Sequence, residues 1–285
     1  MLSLAAIAHA FTRRHTVDGV VAAFGIRIVN TWRHHGGRSS CVTLSARQPS
    51  RESPRKSDSL KIRNGEFEIR GRLRGWTTTR IECYGATRPQ QGRSQNEDAF
   101  LISTGDRPFA ALADGAGNAE RAAKRILTRF EKLLHEATPE QVADAGAWAK
   151  WVKLLDSSLL GAAQSTFVAV TISGSEVIGA CAGDSRLYHL NKEGQCRIIS
   201  EGASKQRLGS GQAQPFPIRL TLNAGEVLLL LSDGAWTPLN LYALQKATVS
   251  AAARHFSEVP VAILDAAGKT GRADDMTAVA LRLGR

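Results

Sequence analysis

Four acidic groups in this chain sit where an apolar run meets a turn: Asn96-Glu97-Asp98, Asp114-Gly115, Asp233-Gly234 and Asp274-Asp275. ALADG (111–115) and LLLLSDG (228–234) are apolar segments ending in a carboxylate, and ADDMTAVAL (273–281) begins with two. Any one of these is an ordinary turn, because Asp-Gly suits tight reversals. Gathered together, they would repel: two unit charges 4 Å apart cost about 4 kcal/mol at an effective dielectric of 20. Such a cluster persists best around cations. Oxygen donors without His or Cys favour Mg2+ or Mn2+ over Zn2+. The seven histidines show no ligand spacing, and the four cysteines lack CxxC spacing, so the cysteines read as packed thiols.

The elements that must position these carboxylates are short. Thr77–Tyr84, Ala99–Ser103 and Phe109–Ala113 have strand composition and length. Apolar residues at helical spacing (Ala122, Ile126, Phe130, Leu133, Leu134) predict a helix over Asn118–Glu136. A second helix is expected over Pro139–Leu160. Thr166–Ser173 and Val177–Ala182 flank a Gly174-Ser175 turn. Arg186–Leu190 and Gln195–Ser200 form another strand pair, Glu226–Ser232 reads as a buried strand, and Met276–Leu283 is the last. Helices are expected over Trp236–Lys246, Ser250–Phe256 and Val259–Ala267. Consecutive strands joined by tight turns argue for antiparallel sheets covered by helices, an α+β fold.

At this point the motifs become specific. RSQNEDAF (93–100), ALADGAGN (111–118), STFVAV (165–170) with ACAGDSRLYHL (180–190), LLLLSDGAW (228–236) and ADDMTAVAL (273–281) follow one another. In kind and order they resemble the motifs of the PPM (protein phosphatase type 2C) metal-dependent serine/threonine phosphatases. The resemblance covers residues 77–285. It implies a four-layer αββα sandwich, two antiparallel sheets flanked by helices, with two divalent cations, Mn2+ or Mg2+, at one end. It further implies that Asp114, Asp233 and Asp274 ligate one metal, and that Glu97, Asp114 and the Gly115 carbonyl serve the other. Asp98 would support the water shell, and Arg93 would bind the substrate phosphate. The implied function is hydrolysis of phosphoserine and phosphothreonine in proteins by a metal-activated water. The alternative is a catalytically inactive scaffold of the same fold that serves as a regulatory binding protein.

The chain departs from the pattern in places. Ala116 stands where some members carry a His that could protonate the leaving group. Thr237 stands where many have a third-metal Asp, and LLGAAQ (159–164) offers no nearby carboxylate. Asp275 replaces the usual Asn. Residues 201–222 occupy the place of a flap beside the active site and lack its Asp-His pair. They read equally as a substrate gate or as a tolerant surface connection. Asp184, in AGDSR, reads as a structural turn residue. AAGKT (266–270) fails as a phosphate loop, since its first Gly would fall at Ile263.

The charge is unevenly placed. The net +11 arises from 37 Lys/Arg against 26 Asp/Glu; residues 1–76 hold 14 against 5, and residues 77–285 hold 23 against 21. The basic front, 1–76, reads as a largely disordered extension, with a short helix around Val20–Thr31 and a Ser/Arg/Gly/Pro-rich linker over 36–60. It could bind polyanions, but the near-neutral remainder gives no electrostatic case for nucleic acid. No apolar run reaches the roughly 20 residues that cross a bilayer. The expected protein is a cytoplasmic monomer acting on phosphoproteins.

Overall fold

A computed structural model describes residues 39–44, 59–63, 66–70, 80–104, 107–116, 120–269 and 274–284. Fourteen strands are described: β1 Ser39–Leu44, β2 Ser59–Arg63, β3 Glu66–Arg70, β4 Arg80–Arg88, β5 Asp98–Ser103, β6 Phe109–Ala116, β7 Gln164–Ser165, β8 Phe167–Ser173, β9 Glu176–Ala182, β10 Arg186–Leu190, β11 Cys196–Ile198, β12 Phe216–Thr221, β13 Val227–Leu231 and β14 Met276–Leu283. The described α-helices are α1 Glu120–Glu136, α2 Pro139–Ala143, α3 Ala145–Leu159, α4 Asp233–Trp236, α5 Leu241–Arg254 and α6 Val259–Gly268. One sheet runs β1-β4-β14-β13-β10-β11, the other β12-β9-β8-β6-β5 with β7 beside β6, and every pairing is antiparallel. A hairpin of β2 and β3 stands apart from both.

Strand periodicity explains the layering. Side chains alternate faces along a strand. Leu228 and Leu230 enter the core between the sheets, while Val227, Leu229 and Leu231 enter a second core against α5 and α6. In β6, Ala110 and Leu112 face the sheet interface, and Phe109, Ala111 and Ala113 face α1 and α3. A strand buried on both faces reads as an unbroken apolar run, which accounts for LLLL at 228–231. Three cores between four layers are thus helices on sheet, sheet on sheet, and sheet on helices, the αββα sandwich expected. The helix-side core over β6 and β8 is aromatic. Phe130 meets Phe109 and Phe167 edge-on, with centroids 5.6 and 5.2 Å away, and also packs against Trp148.

Local expectations fail where capping decides. The single helix expected over 139–160 is two, because Asp144 leaves the helical region (φ −98°, ψ 115°) and accepts from the N–H groups of Gly146 and Ala147 to start α3. The helix expected over Trp236–Lys246 is likewise split. Asn240 caps α5 by accepting from Ala243 N–H, and α5 then runs through Ser250 to Arg254. β12 lies inside the segment read as flap and pairs with β9. Within the stretch read as linker, Ser39–Leu44 forms β1 and pairs with β4, and Ser59 opens β2. The helix expected around Val20–Thr31 lies outside the described residues. No helix among the described residues is long and apolar enough to cross a membrane.

Candidate metal centre

The acidic groups collect at one end of the sandwich, where the two sheets meet. Strand register makes the first pairing: Asp98 opens β5 directly opposite Asp114 in β6. Asp98 and Asp114 are both buried. The other sheet contributes through Ser232, at the end of β13, whose hydroxyl donates to Asp98 Oδ2 at 2.7 Å and whose Oγ accepts from Thr277 N–H at 2.8 Å. One buried serine therefore ties β13 and β14 to β5. Asp98 Oδ1 is buried and accepts no hydrogen bond among the described residues. An orphaned buried carboxylate oxygen costs free energy unless something cationic or protic reaches it.

Asp114, Asp184 and Asp233 each place a carboxylate oxygen so that the three lie within 4.8 Å of one another. Asp114 is fixed through its backbone: its N–H donates to Thr166 Oγ1 at 3.0 Å and its carbonyl accepts from Thr166 N–H at 2.8 Å. The Thr166 hydroxyl in turn meets Ser185 Oγ at 2.7 Å. Asp184 belongs with the cluster and is more than the turn residue expected from sequence. Gly183 (φ +92°) delivers it, and the Trp236 indole N–H, donating to its carbonyl at 3.0 Å, pins it. Its match to the AGDSR motif was the available signal. The Arg186 guanidinium lies 3.5 Å over the Trp236 ring, which holds that ring in place.

Close packing at Gly234 sets the Asp233 segment against the backbone that leads into β14, while the expected ligands Asp274 and Glu97 stand outside the Asp114–Asp184–Asp233 group. A Cβ on Gly234 would fall 2.0 Å from the Asp275 carbonyl oxygen and 3.2 Å from Asp274 Cβ. Only glycine lets the Ser-Asp-Gly turn press so closely on the start of β14. Asp274 Oδ1 accepts from Asp275 N–H at 2.9 Å. Asp275 braces the loop after β4, accepting from Gln90 N–H and Glu97 N–H, both at 2.6 Å. It fixes Glu97, whose carbonyl accepts from Gly115 N–H at 3.1 Å. Arg93 lies in that same loop, largely exposed, with Nη1 3.6 Å from Glu97 Oε2.

The flap supplies a residue that the sequence did not single out. Arg207 Nη2 stands 3.3 Å from Asp184 Oδ1 and 3.8 Å from Asp114 Oδ2. An open trough of about 430 Å³ is lined by Ala116, Gly161–Gln164 and, from the flap, Gly209.

The electrostatics are those of crowded anions. Burial, with added repulsion from Asp98 and Asp233, pushes the Asp114 carboxyl up to about 9, against the pull of Arg207. Burial first, then the charges of Asp275 and Asp233, raises Asp98 to about 7, opposed by the Ser232 and Thr277 hydroxyls. Burial alone would lower the Arg207 guanidinium, but Asp184, Asp114 and Asp233 outweigh it and raise it. Without cations, the site holds protons that ordinary aspartates would have shed. Hard oxygen donors, mutual repulsion and an orphaned buried oxygen are what a divalent cation fits.

The fold is that of the PPM-type serine/threonine phosphatases. Among similar solved structures, the serine/threonine phosphatase of S. agalactiae superposes with a TM-score of 0.62 at 18% identity, covering 71% of this chain and 99% of that one. The catalytic domain of the phosphatase PstP, solved in complex with two manganese ions, gives 0.60 at 19%, over 72% and 99%. MsPP of Mycobacterium smegmatis, a PPM Ser-Thr phosphatase solved in complex with cacodylate, gives 0.59 at 20%, over 71% and 98%. No protein-family model matches the sequence, and no curated protein matches it.

Proposed function

We propose that this chain is a metal-dependent phosphatase that hydrolyses phosphoserine and phosphothreonine in proteins, with two divalent cations, Mn2+ or Mg2+, at the acidic centre. The observation that carries the reading is the convergence of carboxylates from both sheets: the buried Asp98 and Asp114 from one, and the half-buried Asp233, with Ser232 behind it, from the other. The manganese pair in the similarly folded PstP domain supports it.

In this reading Asp114 and Asp233 hold the cations, joined by Glu97, Asp274 and the Gly115 carbonyl, with Asp184 added from the flap side and Asp98 steadying the shell. When bound, the cations would supply Lewis acidity to the phosphoryl group and make hydroxide available near neutral pH. Arg93, exposed at the rim and within reach of Glu97, offers planar paired N–H donors to phosphoryl oxygens. Asp275 keeps that rim in position by accepting two backbone N–H groups from it.

The test is hydrolysis of a chromogenic phosphate ester and of a phosphothreonine peptide, with and without Mn2+. Turnover should require the metal and fall at least 100-fold in Asp233→Asn. Metal-independent turnover, or an unaffected Asp233→Asn, would end this reading.

A further inference from the structure

The flap holds its one cation at the acidic centre firmly. Leu208, fully buried, is bridged to Ser165 by a reciprocal pair of backbone hydrogen bonds, Ser165 N–H to Leu208 O at 3.0 Å and Leu208 N–H to Ser165 O at 2.8 Å. Ser165 adjoins Thr166, which fixes Asp114. On the other side of Leu208, the buried Asp156 of α3 accepts from three alternate loop amides: Gly209 at 2.7 Å, Gly211 at 3.1 Å and Ala213 at 3.3 Å. Gly209 (φ +88°) packs so tightly that a Cβ there would lie 2.0 Å from the Ala163 carbonyl oxygen. The backbone carrying Arg207 is thereby anchored to both the sheet and the helix layer. Only the side chain is left to move, and it lies across Asp184 and Asp114 with 23% of its surface exposed.

We propose that Arg207 is a tethered counter-cation. It holds the flap side of the Asp114–Asp184–Asp233 cluster, weakens divalent-cation binding there, and so sets how many ions the centre takes up. The inference rests on the cation-binding reading above. Its physical basis is competition. A guanidinium that neutralises two of three carboxylates removes part of the attraction a second cation would feel, and adds like-charge repulsion at short range. Tethering makes the competitor's local concentration high and independent of the solution. The residue is placed to modulate metal occupancy, whereas Arg93, on the opposite loop, is placed to meet substrate.

The experiment is Mn2+ binding to the full chain, followed by calorimetry and by the spin-resonance signal of free Mn2+. Arg207→Gln and Arg207→Met remove the charge, the latter keeping an apolar stem. Arg207→Lys keeps the charge. Circular dichroism checks that each variant folds, and either neutral variant suffices. The neutral variants should bind Mn2+ about tenfold more tightly or take up one additional ion, while Arg207→Lys stays within about threefold of the parent. Unchanged or weaker binding in the neutral variants, or equal tightening in Arg207→Lys, overturns the proposal. If the parent binds Mn2+ and hydrolyses the phosphate ester while the neutral variants titrate identically, only the role of Arg207 fails. If no variant binds Mn2+, the metal-centre reading fails with it.

Discussion

Gly234→Ala is the sharpest perturbation of the centre that leaves every charged group in place. The added Cβ would lie 2.0 Å from the Asp275 carbonyl oxygen and 3.0 Å from its carbon. Backbone cannot be compressed to that distance, so either the Ser-Asp-Gly turn or the start of β14 must retreat by about 1 Å, at an overpacking cost of about 1–3 kcal/mol. For a domain of this size that lowers Tm by about 2–4 °C per kcal/mol. The larger effect is geometric. Asp233 and Asp274 sit on opposite sides of the contact, and a misplacement of about 1 Å in a catalytic constellation costs about 100-fold in rate. The assay is Mn2+-dependent phosphate-ester hydrolysis beside thermal melts. Gly174→Ala is the control: its Cβ meets nothing within 4 Å, but φ is +63°, so it should lose about 1 kcal/mol of stability without loss of activity. Full activity and an unchanged Tm in Gly234→Ala would refute the close approach from which this reasoning starts.

Three further outcomes are expected. Ser232→Ala removes a buried donor to Asp98 and the acceptor of Thr277 N–H, and should cost about 2–4 kcal/mol in denaturant unfolding; a loss under 0.5 kcal/mol would contradict the bracing role. Asp98 and Asp114 have folded-state pKa values raised above the ordinary 3.8, to about 7 and about 9. The metal-free folded state therefore binds more protons than the unfolded chain, and its stability should fall as pH rises from about 4 through 9. Mn2+ competes with those protons, so the Tm increase it produces should be larger at pH 8 than at pH 5.5; an equal shift at both would exclude these carboxyls as the linked groups. Asp156→Ala strips the acceptor from three loop amides and should raise hydrogen exchange at Gly209, Gly211 and Ala213 while leaving the β13–β14 amides protected.

The motifs that hold the centre were legible because strand chemistry is local. An unbroken apolar run leads into a carboxylate and a glycine, Asp114-Gly115 near the end of β6 and Asp233-Gly234 at the start of α4 just after β13. The strand pattern pointed to antiparallel sheets covered by helices, and the resemblance to the PPM phosphatases implied the four layers. Helix boundaries were less legible. Asp144 and Asn240 act as caps inside segments whose periodicity suggested continuous helix. β12 was hidden in an unpatterned flap because its pairing partner, β9, lies far back in the chain.

What the sequence determined by itself was an ordered set of acidic turns on buried strands, and hence a fold that can gather them. Which of their atoms meet was left to tertiary structure. Register set Asp98 opposite Asp114, a bond spanning 134 positions tied Ser232 to Asp98, and close packing at Gly234 set the Asp233 segment against the Asp275 backbone. The β9–β10 turn carried Asp184 into the cluster, the flap laid Arg207 across it, and Asp275 turned to brace backbone. Local residue preferences act over a few positions. The distance between carboxylates on two sheets depends on how those sheets pack, which no short stretch of sequence encodes.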